Sequence, residues 1–318
     1  MHKQKIIIIG SGFSSLSAAC YLAKYGHDVT IIEKNKTLGG RARQLKKDGF
    51  IFDIGPTFYW MPDVFEKFFN DFNKSSNDYY SLDKLSPAYQ IYFGKNDSIS
   101  ISDNFKEIKK TFENIEKGSG KKLEKFIHKA QINYNLAIKD LVYKPGEHVF
   151  EIVTKKTFFK LYEFILTIKK QVSGYVKNKK LQKILEFPVL FLGAKPSNTP
   201  SFYNFMNYAD FKLGTWHPKG GMYEVVKAMT TLAKSLGVKL ITDSRAYEIE
   251  IEKKSAKGLK TSSGFYPCDI LLSGADYHHT ETLLPKAFRQ YSESYWENKT
   301  FAPSALLFYV GFNKKIKI

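Results

Sequence analysis

The spacing of apolar residues predicts that the chain opens with a strand, a helix and a second strand. Residues 6–9 are a continuous run of isoleucines, which is typical of a strand buried on both faces of a parallel sheet. Apolar residues at helical spacing follow over residues 13–25, and Gly26 is suited to end that helix. The β-branched run at residues 29–32 predicts a second strand, which leads into Glu33. This order predicts an α/β fold with a parallel sheet.

Further elements are predicted toward the C-terminal end. Helical spacing over residues 222–236, which stops at Gly237, predicts a helix. Short apolar or alternating runs then predict strands, and a Ser-Ser-Gly turn marks a small antiparallel β-ribbon. The runs are residues 240–242, 247–252 and 268–275, with the turn at 262–264. We expect residues 268–275 to return to the first sheet as a buried strand, and residues 304–312 to form another strand.

The middle of the chain, residues 59–210, has aromatic residues, lysines and helical spacing but no phosphate-binding or metal-binding motif. We interpret it as a second, mostly helical lobe for substrate. Residues 154–171 within it predict an amphipathic helix, which either packs on the core with solvated lysines or lies in a membrane interface. Its apolar face is Phe158, Leu161, Tyr162, Ile165 and Ile168, and its flanks carry Lys155, Lys156, Lys160, Lys169 and Lys170.

The composition is that of a folded protein of about two domains. The chain has 318 residues, of which 43% are hydrophobic and 15% aromatic. The net charge of +18 comes almost entirely from lysine, since arginine occurs only at positions 41, 43, 245 and 289. Phosphate recognition favours arginine, so a nucleic-acid partner is disfavoured. The charge fits either attraction to an anionic membrane surface or a basic composition without a binding role.

The two cysteines, Cys20 and Cys268, have no disulfide or zinc-type spacing, which favours a reducing cytosol. The isoleucine run at residues 6–9 is too short for the core of a signal peptide, and no run reaches the ~20 apolar residues of a membrane-spanning helix. We therefore expect a cytoplasmic protein that is either soluble or peripherally associated with a membrane.

The turn after the first strand carries the pattern of a dinucleotide-binding site. Gly10 makes the turn, and Gly12 lets a pyrophosphate approach the backbone. Ser15 stands where a third glycine is usual, but it adds only a CH2OH group, so close packing of helix and strand is still possible. The helix N-terminus at Phe13 and Ser14 would hold the phosphates through its free N–H groups. A glycine turn without a ligand is the alternative.

A carboxylate and a second glycine pair extend this pattern. Glu33 lies about 20 residues after the glycines, where it can accept hydrogen bonds from both adenosine ribose hydroxyls, and it would repel the 2′-phosphate of NADP. Lys34 follows it and is included in the predicted site. Gly39, Gly40 and Arg41 then offer either a second backbone approach to the pyrophosphate or an ordinary turn.

Residues 6–41 as a whole resemble the FAD-binding signature GxGxx(G/S)L…E…GGR of the amine-oxidase and carotenoid-desaturase superfamily. The stretch GFIFDIGPTFYWMPDVFEKFF, residues 49–69, resembles the phytoene desaturase family, in which the FDxGPT segment runs beneath the flavin. The resemblance implies flavin contacts for Gly55, Pro56 and Thr57. It also places Ala246 at the family's adenine-contacting valine. Similar segments at residues 193–202, 214–238 and 271–281 extend the resemblance over nearly the whole chain.

The resemblance implies a Rossmann-like FAD-binding domain, with a parallel sheet and a β-ribbon, formed by residues 1–58 and 211–318. Residues 59–210 would form a substrate and membrane-associating lobe. The implied function is FAD-dependent desaturation of a carotenoid precursor such as phytoene, with a hydrophobic polyene and an anionic membrane surface as partners and no nucleic acid. A carotenoid isomerase on the same fold and a non-catalytic remnant that binds only the ADP half of FAD are the alternatives.

Family members continue beyond this chain's last residue and carry a second glycine/acidic FAD motif there, so we expect a truncated or split copy. No catalytic residue is identified from the sequence. His217, His278 and His279 are candidates, but a histidine beside Trp216 or a pair near acidic residues is more often structural. No HxxH, HxxxH or GxSxG pattern is present, so neither a metal site nor a nucleophilic triad is predicted.

Overall fold

The computed structural model describes residues 2–148, 151, 153–154, 157–302 and 304–315. The strands are β1 Lys5–Ile9, β2 Asp28–Ile32, β3 Gln44–Lys47, β4 Phe50–Asp53, β5 Leu82–Lys84, β6 Tyr89–Gly94, β7 Asp97–Ile101, β8 Trp216–Pro218, β9 Lys239–Ile241, β10 Ala246–Glu252, β11 Ser255–Thr261, β12 Gly264–Pro267 and β13 Ile270–Ser273. The helices are α1 Phe13–Lys24, α2 Pro62–Asn70, α3 Phe105–Ile115, α4 Ser119–Lys139, α5 Tyr162–Ile165, α6 Ile168–Tyr175, α7 Lys179–Glu186, α8 Phe205–Tyr208, α9 Tyr223–Ser235, α10 Tyr277–Thr282 and α11 Glu293–Asn298.

Four parallel strands in the order β13-β1-β2-β9 form the central sheet. Ile7 of β1 is paired with Leu271 of β13 on one side and with Thr30 of β2 on the other. Strand β9 extends the sheet by pairing Leu240 with Ile31. The predicted strand, helix and strand at the start of the chain, and the parallel sheet that they open, are confirmed.

Successive side chains of β1 face different layers of the fold. Ile6 and Ile8 pack in a hydrophobic cluster with helices α1 and α9. Ile7 and Ile9 face the antiparallel ribbon β10-β11-β12, where they share a cluster with Leu259. The sheet is thus covered by helices on one face and by the ribbon on the other, which explains why its central strand is apolar at every position from Ile6 to Ile9.

A second hydrophobic cluster fills the helical part of the molecule. Its buried members, among them Phe112 and Phe126, all fall within residues 88–211. The first cluster also takes in Tyr59 and Phe69. The cluster beside the sheet therefore extends past the predicted boundary at residue 58, and the division into two lobes stays a prediction.

The prediction of one helix over residues 154–171 is wrong. The chain is extended at Leu166 and begins a new helix, α6, at Ile168. Thr167 caps α6, because its side chain accepts a hydrogen bond from the backbone N–H of Lys170 at 3.3 Å. The backbone N–H of Ile168 also donates to Thr199 at 2.9 Å, so a contact from outside the segment helps to set the break.

The break divides the predicted apolar face. Ile168 is fully buried in the second cluster, whereas Ile165 is 84% exposed and Phe158 is 58% exposed. Lys155 and Lys156 lie outside the described residues. No helix in the described ranges has the length and apolar character needed to cross a bilayer.

Two strand predictions near the C-terminal end need correction. Residues 304–312 are described as irregular structure, because no described backbone pairs with them to form a ladder, and Leu306 and Phe308 are exposed. Strand β13 returns to the first sheet as expected, but it is not a buried strand. It forms an edge of the sheet, and its Ile270 and Leu272 are exposed on one face.

Candidate functional site

The turn between β1 and α1 offers unpaired backbone donors. Gly10 has φ 84° and donates its N–H to Ile32 at 2.8 Å, which fixes the turn at the end of the sheet. Gly12 is the N-cap of α1, and no described atom lies within 4 Å of the position that a Cβ on Gly12 would take. The first turn, Phe13 and Ser14 included, contains no acidic residue and receives no side-chain cap from the described chain. Its amide groups are therefore available to an anion.

Ser15 packs at the third position of the turn because its neighbour on the sheet is a glycine. A Cβ on Gly274, just after β13, would overlap the Ser15 hydroxyl oxygen. Gly274 also donates its backbone N–H to Ile9 at 2.9 Å. Among the described residues the buried Ser15 hydroxyl has no hydrogen-bond partner. The close packing expected of this position is thus kept through Gly274, which the sequence analysis did not single out.

Glu33 is 3% exposed and ties the turn to the loop after β2. One carboxylate oxygen, Oε2, accepts hydrogen bonds from the Ser11 amide at 3.0 Å and the Ser11 hydroxyl at 2.6 Å. The other oxygen, Oε1, accepts from the Asn35 amide at 2.9 Å and from the Asn35 side chain. A ribose hydroxyl therefore reaches Glu33 only by replacing one of these donors. Lys34 is exposed beside it.

The second glycine pair lies directly on the first. The Gly39 N–H donates to the carbonyl of Ser11 at 3.1 Å. A Cβ on Gly40 would lie 3.1 Å from the Cα of Gly12, and Gly40 has φ 56°, so glycine suits this close approach better than any other residue. Arg41 is exposed next to the two turns. Residues far apart in the predicted pattern thus meet around the N-terminus of α1.

The FDIGPT segment packs against the same loop. A Cβ on Gly55 would overlap the carbonyl oxygen of Arg41. Gly55 and Thr57 are exposed, and Pro56 is half-buried. Asp53 holds the segment to α9, because its carboxylate accepts the N–H of Met222 at 2.6 Å.

Ala246 is the first residue of β10 and is buried against the ribbon face of the sheet. The backbone N–H of Ser244 donates to the carbonyl of Glu33 at 2.9 Å, so the start of β10 lies beside the end of β2. An open cleft of about 350 Å³ adjoins Ala246 and is also lined by Arg245 and His279. The family resemblance predicts the adenine contact at Ala246, beside this cleft.

The three candidate histidines do not come together. The Nδ1 atom of His217 lies 3.4 Å from the carbonyl oxygen of Thr57. His278 stacks on Trp296, with ring centroids 4.7 Å apart, and His279 lies on the same short helix, α10. In the described ranges no three His, Cys, Asp or Glu side chains are grouped so that they could hold a metal ion.

The donors of this site fit a diphosphate. They are the free amides at the start of α1, the backbones of Gly12 and Gly40 in contact, and the cationic Arg41. Ser11, Asn35 and Gly274 were missed by the sequence analysis. Gly274 lies near the end of the predicted strand at residues 268–275, in the stretch LLSGAD, and this was the one available signal; the partners of Glu33 lie in loops that carry none.

Comparisons with known proteins agree with this geometry. A family profile described as an NAD(P)-binding Rossmann-like domain matches residues 8–74. Among solved structures, an oxidoreductase from Methanosarcina mazei matches with a TM-score of 0.61 at 19% identity, covering 92% of this chain and 64% of that one. A putrescine oxidase variant matches with a TM-score of 0.56 at 16% identity, covering 85% of this chain and 57% of that one. These likenesses confirm the Rossmann-like α/β fold.

Two protein relatives are more similar in sequence. A carotenoid 3,4-desaturase from Haloarcula japonica is 39% identical over 97% of this chain and 63% of its own length. A 4,4'-diapophytoene desaturase (4,4'-diaponeurosporene-forming) from Staphylococcus haemolyticus is 32% identical over 98% of this chain and 64% of its own length. The chain thus spans a little under two thirds of the length of these relatives. With the glycine turn, the comparisons indicate a flavin or nucleotide cofactor, and over nearly its whole length the chain is similar to carotenoid desaturases.

Proposed function

We propose that this chain binds FAD and takes part in the desaturation of a carotenoid precursor such as phytoene. The observation that carries the proposal is the 39% identity, over 97% of the chain, to a protein named carotenoid 3,4-desaturase. The uncapped start of α1 and the contact between Gly12 and Gly40 support a dinucleotide with a diphosphate.

FAD, when bound, supplies the hydride acceptor that desaturation of a carbon–carbon single bond requires. The chain's own residues would bind the cofactor and orient it. The amides of Phe13 and Ser14 and the side chain of Arg41 would hold the diphosphate. Glu33 would accept a ribose hydroxyl in place of its bond from Ser11 or Asn35, and Gly55, Pro56 and Thr57 would support the ring system.

A negative charge introduced at Gly12 tests whether the chain binds FAD with its diphosphate at this turn. Gly12→Asp places a carboxylate where the diphosphate is proposed to lie, and Gly12→Asn is its neutral match. Both side chains are good N-caps and the Cβ position is open, so both variants should fold. After incubation with FAD and removal of free cofactor, we expect a flavin absorption band for the wild type, a weaker band for Asn and none for Asp. Equal bands in all three proteins would contradict the proposed position of the diphosphate.

The reaction is tested with phytoene in lipid vesicles and the FAD-loaded chain. Coloured products with fewer hydrogens than phytoene are expected. Products with an unchanged hydrogen count would favour an isomerase. Unchanged phytoene in a protein that retains flavin would favour a cofactor-binding chain without desaturase activity of its own.

We also propose that the chain attaches to an anionic membrane surface through residues 157–165. Support comes from Phe159 and Ile165, whose apolar side chains are largely exposed, and from Phe158 and Tyr162, which are more than half exposed. The high positive charge of the whole chain would add attraction to anionic lipid.

A further inference from the structure

Five aromatic side chains form a cluster that begins with Phe58 and Trp60, which follow the FDIGPT segment in the sequence. Phe58, Trp60, Tyr89, Phe187 and Phe191 are here called the aromatic wall. Phe58 stacks with Trp60 and with Tyr89, with centroid distances of 6.0 and 5.7 Å and interplanar angles of 29° and 28°. Phe191 lies 4.8 Å from Trp60, and Phe187 lies 5.4 Å from both Tyr89 and Phe191.

The aromatic wall lies outside the buried core beside it. Tyr59, between two of its members, is 1% exposed and stacks on Phe65 in the first cluster. Neighbouring side chains of an extended segment point to opposite sides, so Phe58 and Trp60 point away from that cluster. All five residues of the wall are partly exposed, and Phe191 is 52% exposed.

The polar atoms of the aromatic wall are turned into the protein. The Tyr89 hydroxyl donates to Asp210, and the Trp60 Nε1–H donates to Thr215 Oγ1 at 2.7 Å. The Thr215 hydroxyl in turn donates to Asp210 Oδ1 at 3.4 Å. Asp210 and Thr215 are both buried. The buried Asp210 carboxyl thus holds Tyr89 directly and Trp60 through Thr215. The hydrogen-bonding groups of these two rings point into the protein, away from the exposed ring faces.

We propose that a linear conjugated hydrocarbon lies along the aromatic wall, and that Asp210 and Thr215 are positioning residues that hold two of its rings. The inference rests on the proposed function and names the surface that would receive its substrate. The wall continues directly from Gly55–Thr57, where Gly55 packs on the cofactor loop at Arg41. Flat rings whose polar ends turn inward suit a flat, apolar chain of double bonds.

The test measures binding of 1,6-diphenylhexatriene, a linear conjugated hydrocarbon that fluoresces in apolar surroundings, to the purified chain. Thr215→Val removes the hydroxyl that holds Trp60, and Phe191→Ser removes an exposed ring without disturbing the core. We expect each change to weaken binding about three- to ten-fold. Thr215→Ser keeps the hydroxyl and should restore most of the affinity. Phe265→Ser, an exposed ring on β12, is the matched control and should bind like the wild type.

Equal affinity of all these proteins overturns the proposal, and so does a loss of binding in Phe265→Ser as large as in Phe191→Ser. The flavin band of the same samples separates this inference from the proposed function. Variants that keep flavin but lose the probe support the aromatic wall. Absence of flavin from every sample, with the probe still bound only where the wall is intact, counts against the FAD proposal and leaves the wall supported.

Discussion

Gly274 sets how closely α1 can approach the central sheet. Its missing side chain leaves room for Ser15, and an alanine there would overlap the Ser15 hydroxyl. We expect Gly274→Ala to lower the free energy of unfolding by about 1–3 kcal/mol through overpacking. Adding Ser15→Gly should recover much of that loss. Urea unfolding measures both, with Gly94→Ala as a control whose new methyl meets only ordinary contacts; additive losses in the double variant would contradict the proposed contact.

Asp210 is expected to make stability depend on pH. Burial raises the pKa of its carboxyl from 3.8 to about 7, against hydrogen bonds from Tyr89 and Thr215 that lower it. Between these values the folded protein holds a proton that the unfolded chain releases. This contribution to stability is therefore complete below about pH 4 and is lost as the pH rises toward 7, by at most about 1.4 kcal/mol per pH unit.

Asp210→Asn cannot titrate at this position, so its free energy of unfolding should fall less steeply over the same pH range. Urea unfolding of both proteins at several values between pH 4 and pH 8 measures the difference. Parallel curves for the two proteins would show that Asp210 does not carry this dependence.

At the scale of elements, the sequence predicts best where local pattern and packing agree. The strand at residues 6–9 and the helix from Phe13 have regular apolar spacing and stop at glycines, and both were predicted correctly. Residues 154–171 have helical spacing too, but the helix is interrupted before α6. The cap at Thr167 and the backbone hydrogen bond from Ile168 to Thr199 set this interruption, and spacing encodes neither of them. A strand at residues 304–312 would need a partner that apolar pattern alone does not supply.

The candidate cofactor site, like the helices and strands, could be predicted only where the spacing of residues along the chain carries the signal. Glycines and an acid at fixed spacing are visible in the sequence, and the structure brings Gly12 and Gly40 into contact. The roles assigned to these residues stay predictions. The donors that occupy Glu33 depend on how two loops fold around it, so Ser11 and Asn35 could not be found from spacing.

The cap at Thr167 is expected to stabilise the start of α6. Thr167→Ala removes the acceptor for the Lys170 N–H and should cost about 1 kcal/mol. Ser173→Ala, whose exposed hydroxyl bonds within the same helix, is the matched control and should cost less. Urea midpoints of the two variants make the comparison; equal losses would mean that the break is held by the backbone contacts alone.

At the scale of the whole molecule, the net charge of +18 should act together with the exposed apolar segment. We expect sedimentation with anionic lipid vesicles to fall as salt rises, because charge attraction is screened. Phe159→Ser combined with Ile165→Ser should reduce the binding that remains at high salt, whereas Phe265→Ser should not. Binding that is insensitive to both salt and the double change would contradict this attachment.

The order of strands in the central sheet also sets an order of events during synthesis. Strand β1 is made first, yet its neighbour β13 is formed by residues 270–273, and β9 by residues 239–241. The second hydrophobic cluster, by contrast, draws all its buried members from residues 88–211. On the ribosome, the helical part can therefore collapse before β13 and β9 are available to pair with β1 and β2. The isoleucines of β1 stay without their full cover until residues 270–273 have emerged, which leaves an apolar run open to wrong association during synthesis.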